Sequence, residues 1–282
     1  MNASKAGTYG KGRQRGLLRL LSGAAGVLAV ATASAQMPAM ADFSGYERLD
    51  RAQVLARLAA ASAPEPASFY AKNLSGVDLS GVDFHHANLT AAVLNGANLA
   101  GADLSGCNLT VSFAEHANLT HARLRGAVMF SMQLKGADLR EADLTGARFI
   151  GDLQQADLRG AILAHLDGAA DMKNQSMGLM HAVISSADLR GADLQGADLA
   201  RADFSFTRLD GADLHGAHLF GVDLSGATLA GANLAGADLR ESKIIDTDLS
   251  GADLRGADLS GSQLRNLRGL ASARTDGARG LP

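Results

Sequence analysis

The chain has 282 residues, with 26 Lys and Arg, 29 Asp and Glu, one Cys, no Trp, 33 Gly and 4% aromatic residues. A single cysteine excludes an intrachain disulfide framework, and 47% hydrophobic residues at a net charge of −3 exclude a disordered chain. Because aromatic side chains line most ligand pockets, their scarcity argues against an enzyme-like cleft. We therefore expect a folded protein with few pockets.

The first 41 residues have the layout of a secretory signal peptide. They contain five Lys or Arg residues and no acidic residue, and a stretch of small and apolar residues runs from Leu17 to Ala35. Small residues precede two possible cleavage points, after Ala35 and after Ala41. A retained anchor is the alternative, but a membrane span takes about 20 clearly apolar residues and this stretch is interrupted by polar ones. We predict cleavage after Ala35 or Ala41, which leaves a periplasmic or secreted protein without a stable membrane span.

Residues 42–71 are predicted to form a helix and a cap for the domain that follows. Ser44 and Glu47 match a capping box, which places the start of the helix there. Pro64 and Pro66 end it. Because repeat domains need terminal caps to stay soluble, we expect the apolar stripe of this helix to cover an open end; the alternative is a partner-binding amphipathic helix. The stripe comprises Leu49, Ala52, Leu55, Ala56, Leu58 and Ala59.

Residues 72–265 repeat a five-residue phrase, such as ANLAG at 97–101 and ADLQG at 192–196. The phrase occurs 36 times, and its centre is Leu, Phe, Ile or Met in every unit except the one centred on Ala114. Ala usually stands two residues before the centre, and Asp or Asn usually stands directly before it. Repetition of this length indicates one continuous repeat architecture.

A period of five fits neither a regular helix nor a straight strand. Five steps along an α-helix rotate a side chain by about 140°, which scatters the Leu residues around the cylinder. On a strand, an odd period sends successive Leu residues to opposite faces. The chain must therefore turn a corner in every unit, with Ala and Leu pointing inward and Gly at the corner. Four such sides close a turn of about 20 residues, and stacked turns lie about 4.8 Å apart.

This phrase resembles the A(D/N)LXX repeat of the pentapeptide-repeat proteins. The resemblance covers residues 72–265 and implies an all-β fold, a right-handed, four-sided parallel β-helix, here with a short N-terminal capping helix. About nine turns would form a rod of about 43 Å. The tail at 266–282 contains no apolar helix to cover the last turn, so two chains could pair as a homodimer through an open end.

The repeat is interrupted between Phe149 and Ile184. One residue is lost after Phe149, and the segment 164–183 is irregular before the register returns. Two interpretations of this segment stay open: a loop ejected from one face, or a degenerate coil filled by methionine. A milder deviation surrounds Phe113, which either stays outward or slips inward. We expect the slip, because aromatic side chains are preferentially buried.

The sequence assigns no catalytic, cofactor-binding or metal-binding residue and no cofactor. Neighbours within a column of the coil are 20 residues apart, and no two of the eight histidines have that spacing. Acidic columns are predicted, but an Asp or Asn before each corner is explained by hydrogen bonds to nearby backbone amides. Cys107 is expected to be a buried, inert thiol. The predicted columns are Asp193, Asp213, Asn233 and Asp253, and Asp198, His218, Asp238 and Asp258.

The repeat region is acidic, with 24 Asp and Glu against 15 Lys and Arg. This excess argues against direct binding of nucleic acid. The resemblance raises another function, because some pentapeptide-repeat proteins are similar to B-DNA in width and charge and bind type II topoisomerases as DNA mimics. A rod of about 43 Å would need about 25 negative charges to match duplex DNA, and an exported protein would not meet a cytoplasmic topoisomerase.

We therefore predict an exported, non-enzymatic structural or protein-interaction scaffold that presents rigid solenoid faces to an unknown protein partner. One alternative is a DNA-mimicking protein that binds topoisomerases. A second alternative is a metal- or ligand-binding module at 164–183, with His165, Asp167, Asp171 and His181 as its candidate residues.

Overall fold

The structure, a computed structural model, describes residues 42–62, 65–169 and 181–282. The predicted signal peptide at 1–41 lies outside the described residues. Within the described ranges, no helix is both long enough and apolar enough to cross a bilayer.

The chain winds into a parallel coil with a period of 20 residues per turn. Asn98 pairs with Asn118, and the same spacing recurs along most of the ladder. Leu99 N–H donates to the Asn118 carbonyl over 2.7 Å, and Asn118 N–H donates to the Ala97 carbonyl over 2.9 Å. The predicted fold, a right-handed, four-sided parallel β-helix with a short N-terminal capping helix, is confirmed.

Most units contribute one bridge residue to the ladder, and a few extend into short strands that pair in parallel. These are β1 (Glu47–Arg48) with β2 (Lys72–Asn73), β3 (Val128–Gln133) with β4 (Arg148–Asp152), and β5 (Lys243–Ile245) with β6 (Gln263–Arg265). The helical elements are α1 (Arg51–Ala60) and a 3-10 turn (Leu270–Ser272).

Alanine and leucine form the core inside the coil. Ala97 and Leu99, the two inward positions of one unit, are both fully buried, and the same pair recurs along the coil. A narrow tube at native packing density has space for one large side chain per side, so a small residue accompanies each Leu. The inward positions predicted from the phrase are therefore correct.

The corners adopt the left-handed backbone conformation, which glycine takes without steric cost. Gly106 has φ of +65°, and a Cβ there would lie only 2.2 Å from Nδ1 of His86 in the preceding turn. Phe206 likewise lies over Gly226, whose added Cβ would approach the ring to 2.6 Å. A bulky corner residue is thus accommodated where the next turn offers a glycine.

The N-terminal helix begins later than the sequence predicts. Asp50 caps α1, and its side chain and that of Gln53 form a reciprocal capping box. The predicted start at Ser44 is wrong, because Glu47 belongs to β1 and its carboxylate pairs with Arg57 and Lys72 instead of closing a helix turn.

The shift in the start of α1 changes which residues face the core. Leu49 and Val54 are buried in the core, whereas Leu55 of the predicted stripe is 44% exposed. The helix also covers the polar edge of the first turn. Arg51 donates to the carbonyls of Asp78 (2.7 Å) and Ser80 (3.1 Å), which have no preceding turn to bond.

The coil continues beyond the predicted boundary at residue 265. Arg268, Arg274 and Arg279 pair with residues of the preceding turn, so residues 266–282 form a last partial turn rather than a tail. Leu267, Leu270 and Leu281 pack partly buried against the end of the core. At the other end, Ser68 already pairs with Asn88, so the ladder also starts before residue 72.

The two irregularities in the repeat lie at the same corner on successive turns. After Phe149 the corner residue is missing, and Ile150 leads directly to Gly151 at an inward position. One turn later, the chain leaves the ladder after Asp167 and returns at Val183, which pairs with Asp152 31 positions earlier. This turn is therefore 11 residues longer than the regular turn of 20, and the choice between a loop and a degenerate coil falls on residues outside the described ranges. Residues 170–180 lie outside the described residues.

Phe113 does not slip inward. It pairs in register with Val93 and Gln133 and keeps its outward position, while Ala114 fills the inward one. The ring of Phe43 covers it, with centroids 4.9 Å apart, which leaves Phe113 only 9% exposed. The predicted slip is wrong because the N-terminal segment, and not the tube, removes this ring from water.

Candidate functional site

The Asp and Asn residues before each centre hydrogen-bond to the backbone two residues later, as predicted. Ser105 N–H donates to Asp103 Oδ1 over 2.9 Å, and Ser260 N–H donates to Asp258 Oδ1 over 3.0 Å. The hydrogen bonds from Ser260 hold the pKa of Asp258 below its ordinary value. The repeated carboxylate therefore belongs to the architecture of the corner.

Both predicted acidic columns are present on the outer faces. Bridges connect Asp193, Asp213, Asn233 and Asp253 in one column, and Asp198, His218, Asp238 and Asp258 in the other.

Arginine residues neutralise much of this acidity. Among the described residues, five Asp-x-Arg pairs place an Arg Nη2 2.6 or 2.7 Å from an Asp Oδ2. The hydrogen bond from Arg255 is the main reason that the pKa of Asp253 falls to about 2. These faces present ion pairs rather than bare negative charge. The pairs are Asp138–Arg140, Asp157–Arg159, Asp188–Arg190, Asp238–Arg240 and Asp253–Arg255.

One face of the later turns carries aromatic side chains, and we call it the phenylalanine face. Phe206 is 67% exposed. Phe220 stands on the other side of the bridged column of Asp203 and Asp223, and the guanidinium groups of Arg201 and Arg240 lie 5.6 and 5.8 Å from its ring centre. Arginine and aromatic residues are the types enriched at protein interfaces. The face is defined by Arg201, Asp203, Phe206, Phe220, Asp223 and Arg240.

Three potential metal ligands converge on an earlier turn, and we call them the Asp83 triplet: Asp83, His85 and Asp103. One ligand atom from each lies within 4.8 Å of the other two. Asp83 and Asp103 are bridged neighbours in a column, and His85 Nδ1 lies 4.0 Å from Asp103 Oδ1.

A search for histidines 20 residues apart misses the Asp83 triplet, because it combines two spacings. Asp103 follows Asp83 by one turn, whereas His85 stands two residues after Asp83 on the same side of the coil. The signal in the sequence is Asp-x-His followed by Asp 20 residues after the first Asp.

The candidate residues of segment 164–183 have other contacts. His165 occupies a corner and its ring lies over Gly196, where an added Cβ would meet Nδ1 at 2.9 Å. Asp167 lies 3.5 Å from Nε of Arg148. Asp171 lies outside the described residues, and His181 resumes the described chain.

Cys107, the single cysteine, is fully buried at an inward position, as predicted. Its Sγ lies 3.1 Å from the Phe84 carbonyl, and burial raises the pKa of the thiol to about 12. Because the thiolate is the reactive form, this group is inert at neutral pH.

The family model described as pentapeptide repeats matches the chain in 8 copies between residues 73 and 266. The matched ranges are 73–110, 115–151, 131–164, 179–216, 187–226, 217–256 and 232–266. Comparison with curated proteins finds no significant match.

Several solved structures are similar to this chain. HetL, a protein involved in heterocyst differentiation regulation in Nostoc sp. strain PCC 7120, is 26% identical over 82% of this chain and 96% of its own, with a TM-score of 0.45. A trypsin-treated form of QnrB1, a plasmid-mediated fluoroquinolone resistance protein, is 20% identical over 68% and 88%, with a TM-score of 0.42. A protein of the Arabidopsis thaliana thylakoid lumen is 26% identical over 52% and 71%, with a TM-score of 0.13.

Proposed function

The chain belongs to the pentapeptide-repeat family, and from this premise we propose that it is an exported, non-enzymatic scaffold that binds a protein partner through a face of its β-helix. The observation that carries the proposal is the phenylalanine face. Phe206 is 67% exposed, so its apolar surface is removed from water only when another molecule covers it.

The surroundings of Phe206 favour a protein over other partners. Two arginines lie over the Phe220 ring, and the bridged Asp203 and Asp223 belong to the same face, so a partner would meet apolar and charged groups together. This mixture is typical of the centre and rim of a protein interface. The backbone ladder beneath fixes these side chains to a rigid support, which lowers the entropy lost on binding.

Export is supported by the N-terminal sequence. Five basic residues, no acidic residue and a stretch of small and apolar residues precede the folded unit, in the order that a signal peptide requires. We propose cleavage after Ala35 or Ala41 and a periplasmic or secreted location. Fractionation with mass spectrometry of the mature N-terminus tests this: a chain beginning at Gln36 or Asp42 outside the cytoplasm is expected, and an uncut cytoplasmic chain contradicts it.

Site-specific photocrosslinking in cells tests the binding face. A benzophenone side chain at position 206 should crosslink one discrete protein, and the same group at the exposed corner His121 on another face should not. Phe206→Asp should abolish copurification of that protein without changing the melting temperature. Equal crosslinking from both positions, or none from position 206, contradicts the proposal.

The DNA-mimicry alternative is disfavoured by the five Asp-x-Arg pairs, because they neutralise carboxylates that a DNA-like surface would expose. Inhibition of topoisomerase supercoiling by the purified protein would restore it.

The pairing of two chains through an open end also stays a prediction, although Leu267, Leu270 and Leu281 cover part of the C-terminal end. Sedimentation at several protein concentrations tests it.

A further inference from the structure

The Asp83 triplet lies on an outer face of the coil, away from the phenylalanine face. It is assembled by the fold: the ladder stacks Asp103 directly after Asp83, and the corner carries His85 beside them. Two bonds of about 2.1 Å to one tetrahedral cation place their ligand atoms about 3.4 Å apart. His85 Nδ1 lies 4.0 Å from Asp103 Oδ1, so the gap to close is about 0.6 Å. A small rotation of the exposed imidazole closes the remaining gap.

Both carboxylates are held in place before any ligand arrives. His85 N–H donates to Asp83 Oδ1, and Ser105 N–H donates to Asp103 Oδ1, each over 2.9 Å. One backbone hydrogen bond to each carboxylate fixes the orientation of the group, and both of its oxygens keep lone pairs for another partner. In proteins, carboxylates that bind a metal are oriented by hydrogen bonds of this kind.

The imidazole is also restricted by its neighbour. The centroid of the His86 ring lies 4.1 Å from that of the His85 ring, and the His86 ring occupies the space over Gly106 that an added Cβ would need. His86 therefore limits the positions that the His85 ring can take on that side.

We propose that Asp83, His85 and Asp103 form a binding site for a divalent transition metal such as Zn²⁺ or Cu²⁺. One imidazole and two carboxylates suit these cations, and water completes the coordination of a site on an open face. Ca²⁺ and Mg²⁺ prefer all-oxygen ligands, so the imidazole selects against them.

Arg123 is the one positive group that the structure places beside the Asp83 triplet within the described residues. Its Nη1 lies 3.6 Å from Asp103 Oδ2, and its side chain is largely exposed. A cation at the triplet displaces this arginine toward solvent. Arg123→Gln should therefore strengthen metal binding several-fold.

The same column contains two natural controls. Asp193 and Asp213 are bridged like Asp83 and Asp103, but Gln195 takes the place of His85 and donates to Asp213 Oδ2 over 2.8 Å. One turn on, His215 follows Asp213, but Asn233 takes the place of the second carboxylate and donates to Asp213 Oδ1 over 2.9 Å. An amide donor replaces a ligand in each case, so neither set is expected to bind a metal.

Titration of the tag-free full chain with Zn²⁺ by calorimetry tests the proposal. We expect one equivalent in the wild type, a loss of about tenfold or more in affinity for His85→Ala, and no change for the matched corner variant His116→Ala. Bound Cu²⁺ should show nitrogen coupling from one imidazole by EPR, and His85→Ala should remove it. A wild type that binds no Zn²⁺, or a His85→Ala variant that binds as tightly, overturns the proposal.

Grafting supplies a second measurement that does not depend on losing a function. Gln195→His recreates the triplet at Asp193 and Asp213 and should add a second equivalent of Zn²⁺. Unchanged circular dichroism confirms that the exposed substitution leaves the coil intact. If this variant titrates like the wild type, the claim that the column geometry is sufficient for binding is wrong.

Discussion

Two consecutive stretches of the coil fill the same tube with different residues. From Ile184 to Leu264 the corners come every five residues, and small and large inward side chains alternate. Between Phe149 and Ile184 one corner is cut short and the next turn carries an insertion at that corner. The described residues of both stretches nevertheless share one buried core, and residues 31 positions apart still pair.

The difference between the stretches shows that the coil tolerates a change in the five-residue phrase when a small and a large inward residue exchange places. In the interrupted stretch Leu166 occupies the small inward position and Gly168 the large one, which reverses the usual order. An added Cβ at Gly168 would meet the Leu166 side chain at 3.2 Å and that of Leu199 at 2.8 Å. The large side chain has moved by two positions, and glycine leaves the space for it.

The largest expected effect comes from a charge inside the regular stretch. Leu214→Asp places a carboxylate at a position that is 1% exposed, among the apolar side chains of the core. Burial of an unpaired charge costs several kcal/mol, on the order of 4 or more, which is a large part of the stability of a single domain. Thermal and urea unfolding should show a chain that is largely unfolded or strongly destabilised.

The adjacent outward residue supplies the control for Leu214→Asp. His215→Asp introduces the same side chain at an exposed position one residue away and should change the free energy of unfolding by less than about 0.5 kcal/mol. Equal stability of the Leu214 and His215 variants would contradict the inward placement of the leucines.

The next effect tests the exchanged residues of the interrupted stretch. Leu166→Ala should cost about 2–5 kcal/mol, because it leaves a cavity beside Gly168. Gly168→Leu alone should cost about 1–3 kcal/mol through overpacking. The double variant restores the usual order of small and large residues. Its loss of unfolding free energy should therefore be smaller than the sum of the two single losses by about 1 kcal/mol or more. Strict additivity in urea unfolding would show that the two positions do not share one space.

Sequence reasoning predicted the inside of the coil better than its ends. A period of five leaves only one arrangement with all Leu residues on a common axis, so the core followed from spacing alone. The start of α1 could not be derived in this way, because Ser44 and Glu47 match the capping-box pattern although Asp50 caps the helix in the structure. Tertiary contacts made the choice, through the pairing of β1 with β2 and the burial of Val54.

The outer faces were predicted only in part. The acidic columns followed from the spacing of 20 residues, and the hydrogen bonds of Asp followed from its place directly before a corner. The covering of Phe113 by Phe43 did not, because no repeat relates residues on the tube to residues before it. The Asp83 triplet was missed because it combines a neighbour in the column with a neighbour in the chain.

A smaller effect is expected where the corner is missing. Gly151 stands at an inward position that the regular stretch fills with Ala, but an added Cβ would lie 2.3 Å from the Met132 carbonyl oxygen. Because backbone atoms cannot rotate away, Gly151→Ala should destabilise the protein by about 1–3 kcal/mol. The reciprocal change Ala232→Gly in the regular stretch should cost about 1 kcal/mol by losing a buried methyl group. A stabilising Gly151→Ala substitution would mean that the shortened corner has the same spacing as the others.

The smallest effect belongs to the outer face of the regular stretch, where Arg255 donates to Asp253 at 2.7 Å and lowers the pKa of Asp253 to about 2. A depressed pKa in the folded state means that this pair stabilises the fold fully above the ordinary value of 3.8, and that its contribution is lost as the pH falls through about 2. Arg255→Gln should raise the pKa of Asp253 toward 3.8, as followed by NMR of the carboxyl carbon. Arg274→Gln, which removes a weaker partner at 3.3 Å, should raise it less. At neutral pH the melting temperature of both variants should lie within a degree or two of the wild type, because exposed ion pairs contribute little to stability and the buried core holds the coil together. A larger fall in the melting temperature of Arg255→Gln would show that the outer faces also determine stability.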